Sequence, residues 1–244
     1  MITANPAVQL IQAQWLNLLR TPAYTLPTLM FPVMFYTFFG LLMLRGQSQW
    51  LLCTFATFGV MGAALFSFGT SIATERAQGW LLLLRASPAP VSAVVAGKAF
   101  GALLFAIIIV GMLSALAAGF GDVRLSPPQW LGLAGILTAG ALPFCLMGLT
   151  LGLWLSPNAA PAVLNLIYLP MGFLSGLWIP SNVFPGWLQA VAEWLPPYHL
   201  AALALDITGA KPADWGQSLI VLGLFSGVFA VLTAIGWRRL SGVS

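Results

Sequence analysis

The few charges of this chain are clustered, and the long intervals between them limit what it can fold into. Uncharged stretches run over residues 21–44, 46–74, 99–121, 125–192 and 215–237. A helix needs about 20 mostly apolar residues to cross the hydrocarbon of a bilayer, so four of these stretches fit one helix each. The stretch 125–192 is too long for one, and Ser156-Pro157-Asn158-Ala159-Ala160-Pro161 is a turn-forming cluster that divides it into two helices and a remainder. Only 6% of the 244 residues are charged while 60% are hydrophobic, and mean hydropathy is +0.96. A water-soluble domain of that make-up would lack the polar surface to cover itself. The fold class expected is therefore all-α, a polytopic membrane protein with six transmembrane helices in a single transmembrane domain over 1–244.

The spans are expected at about 23–44, 50–72, 94–118, 129–155, 161–179 and 216–236. Ahead of them, residues 6–20 set Val8, Ile11, Trp15 and Leu18 on one face and Gln9, Gln12, Asn17 and Arg20 elsewhere, the pattern of an amphipathic helix lying in the membrane interface. No basic n-region with a short apolar core and small-residue cleavage site precedes the first span, which is expected to stay in the mature protein. With the N-terminus in the cytoplasm, Arg20, Arg76, Arg85, Lys98, Arg238 and Arg239 fall inside, and Arg45, Arg124 and Lys211 fall outside. Six against three favours N- and C-termini both cytoplasmic.

Two connections are longer than the spans require. The first, about 73–93, carries Glu75 and Arg76, then Gly79, an apolar run, Arg85 and Pro88, and reads as a short helix against the membrane on the cytoplasmic side. The second, about 180–215 on the outside, carries Pro180, Pro185, Trp187, Leu188, Trp194, Pro196, Pro197, Tyr198 and His199. Its Trp and Tyr suit the interface, and its prolines cut it into pieces too short to span. The 180–206 segment is expected to dip into the outer leaflet and return as a re-entrant helical hairpin before the last span.

Several chemistries lack their residues. There is no G-x-x-x-x-G-K-[ST] phosphate loop and no H-E-x-x-H, and His199 is the single histidine, so neither nucleotide nor metal binding nor a Ser/His pair is indicated. The net charge of +4 comes from few residues without a clustered basic face, which gives no nucleic-acid footprint. Cys53 and Cys145 both fall in apolar spans and read as packing residues. Gly172-Phe-Leu-Ser-Gly176 has the wrong spacing for a serine-nucleophile turn. Together with Gly148-Leu-Thr-Leu-Gly152 it is a G-x-x-x-G pattern, which marks Gly148, Gly152, Gly172 and Gly176 for close helix packing. No span carries an ionisable residue near its centre, which argues against an ion-coupled carrier and places the energy source elsewhere.

The two loops also carry a resemblance. Glu75-Arg76-Ala77-Gln78-Gly79-Trp80-Leu81 through Pro88 follows an E-R-x-x-G-x-L-x-x-L-R-x-[ST]-P pattern. Gly176-Leu177-Trp178-Ile179-Pro180, Pro185-Gly186-Trp187-Leu188 and Pro196-Pro197-Tyr198-His199 follow a G-x-x-x-P, P-x-W-L, P-P-x-H order before the last span. With the N-terminal helix and six spans, the chain resembles the membrane subunit of ABC-2-type ABC transporters, although Ala77-Gln78 stands where many relatives have a second acidic-basic pair. The resemblance implies a permease of an exporter in a plasma membrane, such as a bacterial inner membrane. It implies a partner ABC ATPase nucleotide-binding subunit in two copies, which binds the ATP and Mg, and a second permease copy. This chain itself would hold no cofactor, and beside those subunits its partner would be membrane lipid and not nucleic acid. Glu75, Arg76, Gly79 and Arg85 would form the ATPase-coupling loop, and the 180–206 hairpin would close the exit of a pathway for a hydrophobic or amphipathic substrate. The alternatives are a membrane scaffold or assembly factor without transport, and an intramembrane enzyme, for which no nucleophile and base are evident.

Overall fold

Inside a bilayer every backbone N–H and C=O must be satisfied within the protein, which leaves helix as the solution for an apolar open chain. The computed structural model, which describes residues 22–79 and 91–241, is built of helices and contains no strand among those residues. Helix α1 covers Pro22–Phe35 and continues as a π-helical segment, Tyr36–Met43. Then come α2 (Ser48–Ala77), α3 (Val91–Phe120), α4 (Pro127–Ala139), α5 (Leu142–Trp154) and α6 (Ala160–Leu174). Two short helices follow, α7 (Gly186–Ala192) and α8 (Pro196–Ile207), and α9 (Trp215–Ser241) closes the order. The amphipathic helix expected at 6–20, and Arg85, lie outside the described residues.

Among the described residues, four helices are long and apolar enough to cross a membrane: Ser48–Ala77, Ala96–Phe120, Pro127–Trp154 and Trp215–Arg239. The chain is an integral membrane protein. Thr28–Met43 and Ala160–Leu174 are apolar but shorter. At 1.5 Å per residue α6 covers about 22 Å, against about 30 Å of hydrocarbon.

Helix α2 is the centre of the bundle: 94% of its apolar window is buried, against 11% for α9 at the periphery. A helix that is apolar all round belongs inside, and α2 packs against α1, α3, α5, α6 and α8. Helix α9 is held to α5 by a polar link, with the Thr150 and Thr233 hydroxyls 2.8 Å apart and Thr150 also 3.1 Å from the Phe229 carbonyl.

The span expected at 161–179 ends at Leu174, and two further features differ from the sequence expectation. Helix α2 runs to Ala77 rather than ending near 72, because Ala73-Thr74-Glu75-Arg76-Ala77 contains no breaker; Gln78 is its C-cap and Gly79, at φ +72°, turns the chain away. Glu75 and Arg76 thus stand in the last helical turn and not in the loop. The span expected at 129–155 is present as Pro127–Trp154, with a kink at Gly140-Ala141, next to Pro143, that separates α4 from α5. Proline lacks the N–H for the ladder and its ring clashes with the carbonyl four residues back.

Candidate functional site

At one end of the bundle the last turn of α2 presents two charged side chains to two different helices. The Glu75 Oε1 atom accepts from Lys98 Nζ at 2.6 Å, and the same ammonium donates to Ser71 Oγ at 3.0 Å. This is the ion pair formed among the described residues, and its lysine side chain is only 3% exposed. The Glu75 Oε2 atom is buried without a hydrogen-bond partner among the described residues. Arg76 turns the other way and donates to the carbonyl oxygens of Leu153 and, at 2.6 Å, Leu155. Those carbonyls lie at the C-terminus of α5, where the last turn has no intrahelical donors and carries the negative end of the helix dipole, so a guanidinium satisfies both needs. Nearby, Arg239 of α9 lies 4.9 Å over the ring of Trp154. Gly79 follows α2 with a left-handed backbone, the conformation that suits glycine at a helix end.

The opposite end holds the 175–218 region. Helix α6 stops in a Schellman motif, with the Gly176 N–H bonded to the Phe173 carbonyl, Leu177 N–H to the Gly172 carbonyl, and Gly176 at φ +74°. Pro185 caps α7, and Pro196-Pro197 fill the first two positions of α8, where a missing N–H costs nothing. Trp187 and Trp194 are exposed, Leu188 is half-buried, and Pro196 and Pro197 are buried. His199 is buried and uses both ring nitrogens: Nε2 lies 2.8 Å from the Glu193 carbonyl and Nδ1 lies 3.1 Å from Ser218 Oγ. A carbonyl can only accept, so Nε2 carries a proton, and in the neutral ring Nδ1 accepts from the serine hydroxyl. His199 thus ties the end of α7 to α9 through α8.

Further bonds fix α8. The Thr208 carbonyl accepts from Gln49 Nε2 at 2.7 Å and Gln129 Nε2 at 3.3 Å, and Asp206 Oδ2 accepts from Trp215 Nε1 at 2.7 Å. Between α8 and the 210–218 segment lies a cleft of about 400 Å³ lined by Ser175, Tyr198, His199, Lys211 and Asp214 among others. Burial, with a smaller contribution from the Glu193 carboxylate, raises the Tyr198 phenol above its usual range, so it stays neutral and able to donate. The Ser175 hydroxyl is buried with no protein partner among the described residues.

The glycines separate by role. A Cβ on Gly148 would collide with the Leu65 carbonyl of α2, and one on Gly152 would lie 2.8 Å from Ile72 Cβ and 2.9 Å from the Gly69 carbonyl oxygen. Both face α2 across its contact with α5. Gly172 faces the Phe58 ring at 2.8 Å. Gly176 lies beyond the helix end, so the Gly172–Gly176 pair is no helix-packing face. What glycine supplies at 176 is its positive φ.

The sequence patterns overlooked Lys98 and Ser71, as well as the carbonyls of Leu153 and Leu155. The available signal was a lysine in the first turn of an apolar span, where an unpaired charge is expensive.

Residues 7–207 match the family model described as ABC-2 type transporter. The chain is similar to YvfS of Bacillus subtilis (strain 168), a protein named as a transport permease, with 27% identity over 237 residues covering 95% of this chain and 96% of the relative. Apolar helices throughout, an E-R pair closing α2 and a proline-cut segment before the last helix agree with that match, and the chain belongs to the ABC-2 type transporter family.

Proposed function

We propose that this permease is the membrane half of an ATP-driven exporter that moves a hydrophobic or amphipathic molecule outward. The observation that carries the proposal is where its charges stand. Within the four long helices, charged side chains occupy only the last turn of α2, the start of the Ala96–Phe120 span and the last turn of α9. No relay of titratable groups crosses the middle, so ion gradients have no path through these helices. The 244 residues also contain no phosphate loop. The energy then comes from a separate ATP-binding chain, with two permeases and two ATPases in the assembly.

In this reading the chain crosses a bacterial plasma membrane six times, with α1 and α6 as the two shorter spans and both termini cytoplasmic. The shortness of α6 leaves its last turns inside the bilayer, which supports a re-entrant course for α7 and α8 in the outer leaflet. The segment around 80–90 faces the ATPase, and the α7–α8 hairpin covers the exit between two permeases. The tagged permease, purified in mild detergent from its native membrane, should bring down an ATP-hydrolysing subunit in equimolar amount. Purification alone, with no hydrolysis after reconstitution, would sink the proposal. For the hairpin, single cysteines at Trp187 and Trp194 should change their labelling by a membrane-impermeant maleimide when ATP is added; constant labelling would make it a fixed plug.

A further inference from the structure

Glu75 and Arg76 belong to the motif that the resemblance associates with the ATPase, yet both side chains are engaged within the permease. Glu75 reaches α3 through Lys98, and Arg76 reaches α5 through the Leu153 and Leu155 carbonyls. Lys98 is buried near the start of its span, and among the described residues it donates to Glu75 Oε1 and Ser71 Oγ, both on α2. In sequence, Glu75 stands before residues 80–90 and Lys98 stands after them, so their ion pair joins the two roots of that segment. Consecutive side chains on a helix point about 100° apart, which is how one turn of α2 can grip two neighbours at once.

We propose that Glu75, Lys98 and Arg76 form a strap at the root of the 80–90 segment. They are positioning residues: they hold the segment in register with the bundle and pass its displacement to α3 and α5, while other residues make the ATPase contact. The proposal rests on the reading of 80–90 as the ATPase-facing loop. A loop attached only by flexible backbone would absorb a push from the ATPase. One whose two roots are joined by a buried ion pair, and whose first root is bonded to a third helix, moves those helices with it.

The test removes the ion pair without stranding a charge, using Glu75→Gln together with Lys98→Met. Two rescue variants keep the pair: Lys98→Arg, and the exchange Glu75→Lys with Lys98→Glu. Each tagged permease is purified with its bound ATPase and reconstituted, and three quantities are read: ATPase retained per permease, melting temperature, and ATP hydrolysis per complex. The neutral pair should retain the ATPase and its melting temperature while hydrolysis falls by about fivefold or more, the lower range of coupling between linked sites. At least one rescue variant should recover most of that loss. Hydrolysis of the neutral pair within about twofold of the parent, below typical coupling, would overturn the strap. So would a fall that only follows loss of bound ATPase or of thermal stability, because the pair would then serve docking or folding. If the parent permease retains no ATPase at all, the loop reading fails and the strap fails with it.

Discussion

Replacing Gly148 with alanine tests the packing of α5 on the central helix. The added methyl would meet the Leu65 carbonyl oxygen, a backbone atom fixed in the α2 ladder, so no side chain can swing aside. At Gly152 the conflict is with Ile72 Cβ at 2.8 Å and the Gly69 carbonyl oxygen at 2.9 Å. Ordinary carbon contacts lie near 3.5–4.0 Å, so the helices would have to part by roughly 0.5–1 Å. Overpacking of this kind costs about 1–3 kcal/mol, and that translates to a fall of about 3–10 °C in a chain of this size. Gly111 of α3 is the internal control: a Cβ there meets nothing within 4 Å, and alanine should gain up to about 1 kcal/mol of helix propensity. Cys53 and Cys145 are both free and buried, so a fluorogenic maleimide added during heating reports unfolding directly. Gly148→Ala should release thiols at lower temperature than the parent, and Gly111→Ala should not. If Gly148→Ala melts with the parent while Gly111→Ala falls, the α2–α5 contact is not where the structure puts it.

Arg76→Leu removes both donors to the end of α5 and should lower the same melting temperature by the equivalent of about 1.5–3 kcal/mol; Arg76→Lys should recover only part, because one ammonium does not reproduce the guanidinium fork. Gly176→Ala places a side chain at φ +74° and should cost about 1–2 kcal/mol, seen as a lower melting temperature. Thr150→Val breaks the hydroxyl link to Thr233 and should have a small effect, about 0.6 kcal/mol, near the limit of the assay. His199→Ala leaves the Glu193 carbonyl and the Ser218 hydroxyl without their shared partner; limited proteolysis should cut 184–195 faster, and an unchanged digestion rate would remove His199 from its bridging role.

The positions of the helices were readable because charge is so costly in lipid that its absence marks the spans. The four long helices and the two shorter ones overlap the five uncharged stretches, with Pro127–Trp154 and Ala160–Leu174 sharing the longest of them. The boundaries read less well. Nothing in Ala73–Ala77 marks it as exposed loop, and the helix simply continued until Gly79 stopped it. The kink at Gly140-Ala141 was signalled by Pro143, but an uncharged run long enough for one span concealed it. The G-x-x-x-G pattern identified Gly148 and Gly152 as sites of close approach and misled at Gly176, because glycine serves both tight packing and left-handed backbone. Least legible was the use of Glu75. A sequence lists an acid and a lysine 23 residues apart, and only the antiparallel course of α2 and α3 brings them together.

The position of α2 also gives meaning to the polar bonds at its two ends. Near its start, Gln49 donates to the Thr208 carbonyl and Ser48 Oγ donates to the Gly40 carbonyl at 2.8 Å, which ties α2 to the end of α8 and to the π-helical end of α1. Near its finish, Glu75 and Arg76 tie it to α3 and α5. Between those points the helix is apolar and enclosed, and its 30 residues make a rod of about 45 Å. Lipid offers no hydrophobic drive for helices to associate, so directional bonds determine which neighbours follow α2 when it shifts. Those to α3, α5, α8 and the π-helical segment stand at its ends, where a tilt of the rod displaces atoms most, while the Tyr168 hydroxyl of α6 donates to the Phe58 carbonyl further in at 3.1 Å. A tilt begun at the Glu75 end would therefore be felt at Thr208, the C-terminus of the same α8 whose N-terminal region His199 binds to α7 and α9.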